Sequence, residues 1–235
     1  MSLLASISQS PAMLAVGAIG GALLGPAAAA TSSTVPTRVW PWQLASMGWL
    51  LGEPASRRRR GLLSICGAVV LGTVAVVIGW RPALLGFLVM GMNGLMLAAV
   101  DLEHHRLPDR LIAPGAVVSG AALLFDAVLL GSWPSLMSAL LCAVAAGGLL
   151  LAMALISPSG MGLGDVKLAA LLSLHTGWLG WQLAALAVLA GFAVGAAAAL
   201  LLLALRRATL RSPIPFGPAL LLGAWLLVLA VGQFG

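Results

Sequence analysis

Residues 179–205 read LGWQLAALAVLAGFAVGAAAALLLLAL, an apolar run without a single charged side chain. A bilayer-spanning helix needs about 20 mostly apolar residues, so this stretch alone is long enough to cross. Working outward from it, comparable runs predict spans at 11–30, 61–80, 83–100, 111–132, 135–156, 166–178, 179–205 and 217–234. Together they take up most of the 235 residues and leave no stretch for a sizeable soluble domain. The composition agrees. Hydrophobic residues make up 61% and charged residues 8%, against about 25% charged in an ordinary soluble domain. Mean hydropathy is +1.11. These values exclude a soluble globular enzyme, a disordered chain and a nucleic-acid-binding module. The expected fold class is all-α, a polytopic transmembrane helical bundle of about eight spans whose surroundings are the lipid bilayer.

The net charge of +6 reads as a topology signal, because the basic residues lie between apolar blocks. An even number of spans separates Arg57–Arg60, Asp101–Arg110, Asp165–Lys167 and Arg206–Arg211 from one another. Counting Arg38, one side therefore carries 11 of the 12 basic residues, with Arg81 alone opposite. By the positive-inside rule that side is the cytoplasm, which leaves both termini outside. The run from Ala12 to Ala30 ends in small residues as a cleavable signal does. No positive charge precedes it, so a retained first span is expected. Residues 1–60 then form a first span plus a short basic connection, and 61–235 form the main membrane domain. Within the connection, 42–51 is apolar but short and is placed at the interface, where tryptophans gather.

Six acids are present: Glu53, Asp101, Glu103, Asp109, Asp126 and Asp165. Ionisable groups at membrane depth are costly and mark function by default. Glu53 reads as solvated, and Asp126, towards the outer end of the fourth span, as a snorkelling or hydrogen-bonded structural group. The other four lie in two clusters on one side. In Asp101-Leu-Glu-His-His-Arg-Leu-Pro-Asp109, Asp101 closes an apolar run and gains nothing from its own helix dipole. Asp109 follows Pro108 and also suits a helix N-cap or first turn. In Gly160-Met-Gly-Leu-Gly-Asp165-Val-Lys167, the glycines permit close backbone approach. Asp165 there also suits a helix N-cap. The span it opens, 166–178, is about 20 Å long at 1.5 Å per residue, short of a hydrocarbon core of about 30 Å. Either the helix begins below the cytoplasmic surface, which recesses Asp165 into the membrane, or the bilayer thins there.

Two aspartates on neighbouring helices and on one side of the membrane resemble an aspartic-protease dyad. Held close, they cannot both ionise, so one keeps a proton. Such a pair hydrolyses peptides with no metal and no nucleophilic side chain. There is no HExxH for a zinc protease, and no GxSG around Ser159. A metal site built from Asp101, Glu103, His104, His105 and Asp109 is the weaker reading, since adjacent histidines on a basic loop are commonly just solvated. Cys66 and Cys142 lie in apolar runs without a Cys-x-x-Cys and read as packing residues. His175 reads as a packed, hydrogen-bonded histidine.

At these residues the chain resembles the type IV prepilin peptidases, the GxGD class of membrane aspartic proteases. "AAVDLEHHRLPDRL" is similar to the family's Asp-x-x-x-x-x-[Leu/Ile]-Pro-Asp motif. "GMGLGDVKLAALLS" resembles its Gly-x-Gly-Asp-x-Lys-Leu motif, and "PIPFGPALLLGAW", from Pro213, its Pro-Phe-Gly-Pro entry into the last span. The resemblance covers about residues 61–235. It implies Asp101 and Asp165 as the catalytic pair, with Asp109, Lys167, Gly162 and Gly164 in support and no metal. Lys167 either biases the dyad or the substrate, or simply snorkels. The implied substrates and partners are prepilin or pseudopilin precursors, whose leader is removed at the cytoplasmic face of the bacterial inner membrane. The peptidase needs no cofactor. Many members also N-methylate the product with S-adenosylmethionine and carry two Cys-x-x-Cys pairs in a larger cytoplasmic region. Here 31–60 has no cysteine, so S-adenosylmethionine enters only if that second activity is retained. A small ion-coupled transporter is the alternative, since such carriers hold carboxylates near broken helices. A purely structural subunit leaves both acidic motifs unexplained.

Overall fold

The computed structural model describes residues 11–34, 51–53, 55–156, 161–207, 209 and 215–231. Among them stand eight helices and no strand: α1 (Pro11–Thr34), α2 (Arg57–Ile78), α3 (Ala83–His104), α4 (Asp109–Leu130), α5 (Trp133–Ile156), α6 (Leu163–Leu179), α7 (Trp181–Ala204) and α8 (Gly217–Leu229). Six are long and apolar enough to cross a membrane, while α6 and α8 are shorter. The chain is a helical membrane protein, as its apolar runs require.

Several boundaries move for local reasons. Helix α1 runs on to Thr34, where hydroxyls satisfy themselves within the helix by bonding back to carbonyls of the preceding turn, Thr31 Oγ1 to Ala27 at 2.8 Å and Thr34 Oγ1 to Ala30 at 2.9 Å. Helix α2 starts at Arg57, four residues before the apolar run, with the Ser56 side chain accepting the Arg59 N–H at 3.2 Å. Helix α6 has 17 residues, not the 13 expected from its apolar run. The Gly162 carbonyl accepts the Asp165 N–H at 3.1 Å, so Leu163, Gly164 and Asp165 form a first helical turn instead of belonging to the connector. At about 25 Å, α6 remains shorter than a hydrocarbon core. The last helix ends at Leu229, short of the expected 234. Of the segment 42–51 placed at the interface, all but Leu51 lies outside the described residues.

Consecutive helices pack as neighbours, α1 on α2, α3 on α4, α5 on α6 and α7 on α8, and α8 also lies against α3 and α6. Lipid tails are as apolar as leucine, so membrane helices gain most by close backbone approach. Helix α1 shows this at Gly17, Gly21 and Gly25, one every four residues on one face. A Cβ on Gly21 would stand 2.1 Å from the Gly67 carbonyl oxygen of α2. Helix α6 is the centre of the bundle, with Leu168 fully buried and Leu171 and Leu172 nearly so, against Leu97 of α3 and Leu220 of α8.

The one basic residue expected on the far side, Arg81, meets the one acid expected there. Asp126 is fully buried and accepts hydrogen bonds from Arg81 Nε at 2.8 Å, the Ala83 N–H at 2.9 Å and Ser132 Oγ at 2.9 Å. The guanidinium also lies 5.7 Å from the Trp178 ring centre. The α2–α3 turn, α4, the α4–α5 turn and the end of α6 are thereby joined at one point. Asp126 is structural, as its sequence context implied.

Candidate active site

Asp101 lies in the last turn of α3. The helix stops there because His105 takes a left-handed conformation (φ 51°, ψ 40°) and donates its N–H to the Asp101 carbonyl at 2.9 Å. The side chain turns inward and is only 4% exposed. Its Oδ2 accepts the Gly217 N–H at 3.0 Å. Gly217 is the first residue of α8, where backbone N–H groups lack intrahelical partners and the dipole favours an anion. The dipole that favours the Asp101 carboxylate is therefore that of another helix. Asp101 gains nothing from its own helix, but it sits at the start of another.

Asp165 is half-buried in the first turn of α6. The N-cap is Gly162, with no side-chain capping bond, so Asp165 is not the cap that its position in the sequence also allowed. The two aspartates are near enough for the charge of Asp101 to act on Asp165. Leu107, from the loop between α3 and α4, fills the space between their supports. A Cβ on Gly164 would stand 2.8 Å from Leu107 Cβ. One on Gly217 would stand 2.9 Å from Asp101 Oδ2 and 3.4 Å from Leu107 Cδ2. Gly164 is therefore sterically required, and a side chain at Gly217 would have to displace the Asp101 carboxylate. Gly162 is not required, because a Cβ there would meet Asp165 Oδ2 at 3.4 Å, an ordinary contact.

Asp109 is the first residue of α4, after Pro108 in the N-cap position. Its Oδ1 receives Lys167 Nζ at 2.7 Å, and both side chains are largely exposed. The charge of Lys167 is thus directed at Asp109, and the pair ties the two acidic motifs together. On the same face Arg59 pairs with Glu103 and donates to Ser32 Oγ at 3.0 Å, joining the ends of α1, α2 and α3. His104 and His105 are exposed, and no group of three His, Cys, Asp or Glu side chains that could hold a metal occurs among the described residues. His175 is buried, with Nδ1 on the Leu171 carbonyl at 2.8 Å and its ring edge-on to Phe87.

Sequence reasoning placed Asp101, Asp109, Asp165 and Lys167 at one site, and the structure brings all four to one end of the bundle. It missed Gly217 and Leu107 as members. The signal for Gly217 was a glycine between Phe216 and Pro218 at the start of an apolar run, and Leu107 was already within the first motif.

A model of the type IV leader peptidase family matches residues 87–202, which hold both aspartates. Three relatives carry the name prepilin leader peptidase/N-methyltransferase. The one from Pseudomonas aeruginosa is 34% identical over 184 residues, 75% of this chain and 60% of its own length. That from Stutzerimonas stutzeri is 31% identical over 183 residues, 73% of this chain and 58% of its own. That from Aeromonas hydrophila is 34% identical over 199 residues, covering 79% and 65%. The chain thus spans about 60% of the length of the curated relatives it matches. No solved structure matches significantly. With both acidic motifs inside the matched region and on one face of the bundle, the chain belongs to the type IV leader peptidase family.

Proposed function

We propose that this chain is a membrane-embedded aspartic endopeptidase of the bacterial inner membrane. On this reading it removes the leader of prepilin-like precursors at the cytoplasmic face, with Asp101 and Asp165 as the catalytic pair. The observation that carries it is the packing of the two motifs around Leu107, which lies against Gly164 beside Asp165 and against Gly217, whose N–H, the first of α8, bonds Asp101. Two interacting carboxyl groups share a proton, so a base and an acid are present together. The ionised member takes a proton from water as the water oxygen attacks the scissile carbonyl carbon. The protonated member gives its proton to the carbonyl oxygen, forming a tetrahedral diol. Collapse of the diol breaks the C–N bond. The proton taken from water passes to the departing amine, and the hydroxyl proton returns to the second carboxylate. Lys167 and Asp109 are positioning residues in this scheme, and Gly164 and Gly217 let the three segments approach. The cytoplasmic assignment rests on the basic residues that share the face of the dyad. The relatives are named for N-methyl transfer as well. The proposal covers proteolysis, and S-adenosylmethionine enters only if that transfer is retained.

The test is leader cleavage of a pilin-type precursor in detergent, read by mass spectrometry of the new amino terminus. Wild type is expected to cleave, and Asp101→Ala and Asp165→Ala to lose cleavage at unchanged expression. Persistent cleavage by either variant removes that aspartate from the pair. A product heavier by one methyl group adds the transferase.

A further inference from the structure

A cavity of about 330 Å³ lies between α2, α3, α6 and α8. Its walls include Val70 of α2, Gly94 and Ala98 of α3, Leu172 of α6, and Pro218 and Leu221 of α8. Residues three, four and seven apart in a helix share a face. On α3 that spacing puts Asp101 on the face of Gly94 and Ala98, one turn beyond the cavity. On α8 it puts Gly217, whose N–H bonds Asp101, on the face of Leu221. On α6, Asp165 shares the face of Leu172, two turns away. The three helix faces that carry the candidate site therefore continue as walls of the cavity. Ala98 is about 4.5 Å from Asp101 along the helix axis. From Ala98 the cavity extends to Phe87, about 16 Å further, or about half the hydrocarbon core.

The polar groups in these walls are engaged elsewhere. Thr176 Oγ1 donates to the Leu172 carbonyl at 3.0 Å, His175 Nδ1 lies 2.8 Å from the Leu171 carbonyl, and Trp225 Nε1 donates to Thr73 Oγ1 at 3.1 Å. His175 Nε2 is buried out of reach of any occupant. The cavity thus offers hydrocarbon contact and nothing that would hold a charge.

We propose that this cavity is the specificity pocket of the peptidase, and that it takes a large apolar side chain beside the scissile bond. The proposal rests on the peptidase reading and deepens it. Continuity with the site selects the occupant. A peptide held at Asp101 carries its neighbouring side chains within a turn of Ala98, and only apolar ones fit this cavity. The polar part of the substrate stays at the charged end, with Lys167–Asp109 and Arg59–Glu103. An acyl chain would enter from the lipid side, past the exposed Leu222, and would have no bearing on which bond is cut.

The experiment measures kcat/KM for pilin-type precursors carrying Ala or Leu at each of the first three positions after the scissile bond. Wild type is expected to prefer Leu at one of them by at least about tenfold, as a hydrophobic pocket does for added methylenes. Ala98→Phe fills the end nearest Asp101 and should lower that Leu-to-Ala ratio by at least about tenfold. Leu222→Ala widens the exposed edge and should shift the preference from Leu towards Trp, which keeps the test decisive if Ala98→Phe does not fold. Val118→Phe, in a separate groove between α1, α3 and α4, and Val144→Phe, exposed on α5, should leave the ratios unchanged. If wild type cleaves without preference, or if the ratios stay unchanged in Ala98→Phe and Leu222→Ala, the pocket falls and the peptidase reading stands. A ratio changed by Val118→Phe moves specificity to the other groove and also overturns the pocket. If wild type cleaves none of the precursors, the peptidase reading falls and the pocket with it.

Discussion

Three glycines near the dyad look equivalent in the sequence, yet the structure makes different demands on each. Gly162 has an extended backbone that any residue adopts, and a methyl group there meets only an ordinary contact. At Gly164 the same methyl runs into Leu107, and at Gly217 into the Asp101 carboxylate. Catalytic groups displaced by about 1 Å commonly cost about a hundredfold in rate. Gly217→Ala and Gly164→Ala are therefore expected to lower kcat by about that factor. Gly162→Ala should retain kcat within about threefold, a difference of under about 1 kcal/mol in the barrier. Steady-state leader cleavage by the three purified variants checks this. A large loss in Gly162→Ala would mean that the loop before α6 must adopt another backbone conformation during turnover.

Between elements, two ion pairs of opposite character hold the bundle. Lys167 and Asp109 are largely exposed, and exposed pairs contribute about 1 kcal/mol or less. Their role is one of register more than stability. Asp126 is fully buried under Arg81, whose guanidinium its hydrogen bonds hold charged even beyond the ordinary range. Removing one partner of a buried pair costs about 3 kcal/mol or more, because the other charge is left stranded. Asp126→Ala should destabilise the protein by about that amount, and Asp109→Ala by less than about 1 kcal/mol. Asp126→Ala/Arg81→Ala should lose less than the sum of its single variants. Thermal unfolding in mild detergent measures all three. A mild effect of Asp126→Ala would show that water reaches the clasp.

For the molecule as a whole, the bundle is polarised. One end carries Arg59–Glu103, Lys167–Asp109 and the two candidate catalytic aspartates, and the other carries Arg81–Asp126. The proposed function puts the first end in the cytoplasm, a reading that rests on the positive-inside rule. Cysteines introduced at Arg58 and Trp80, both exposed, in a background lacking Cys66 and Cys142, test this with a membrane-impermeant maleimide. Position 80 should label in intact cells and position 58 only after lysis. The reverse pattern would place the dyad outside the cytoplasm and remove the leader-cleavage reading.

Much of this was legible in one dimension because a bilayer imposes its demands locally. Each span must be apolar over its own length and must satisfy its own backbone hydrogen bonds, so all eight helices could be placed from hydropathy alone. Asp101 and Asp165 stood out because charge is rare in such a chain, and parity of spans put them on one side. What the sequence could not show is decided by contacts between residues far apart in the chain. The start of α8 comes to Asp101 across 116 residues, Lys167 reaches Asp109 across 58, and Arg81 reaches Asp126 across 45. Local solvation fixes which segments become helices, and close packing between them determines which polar groups meet.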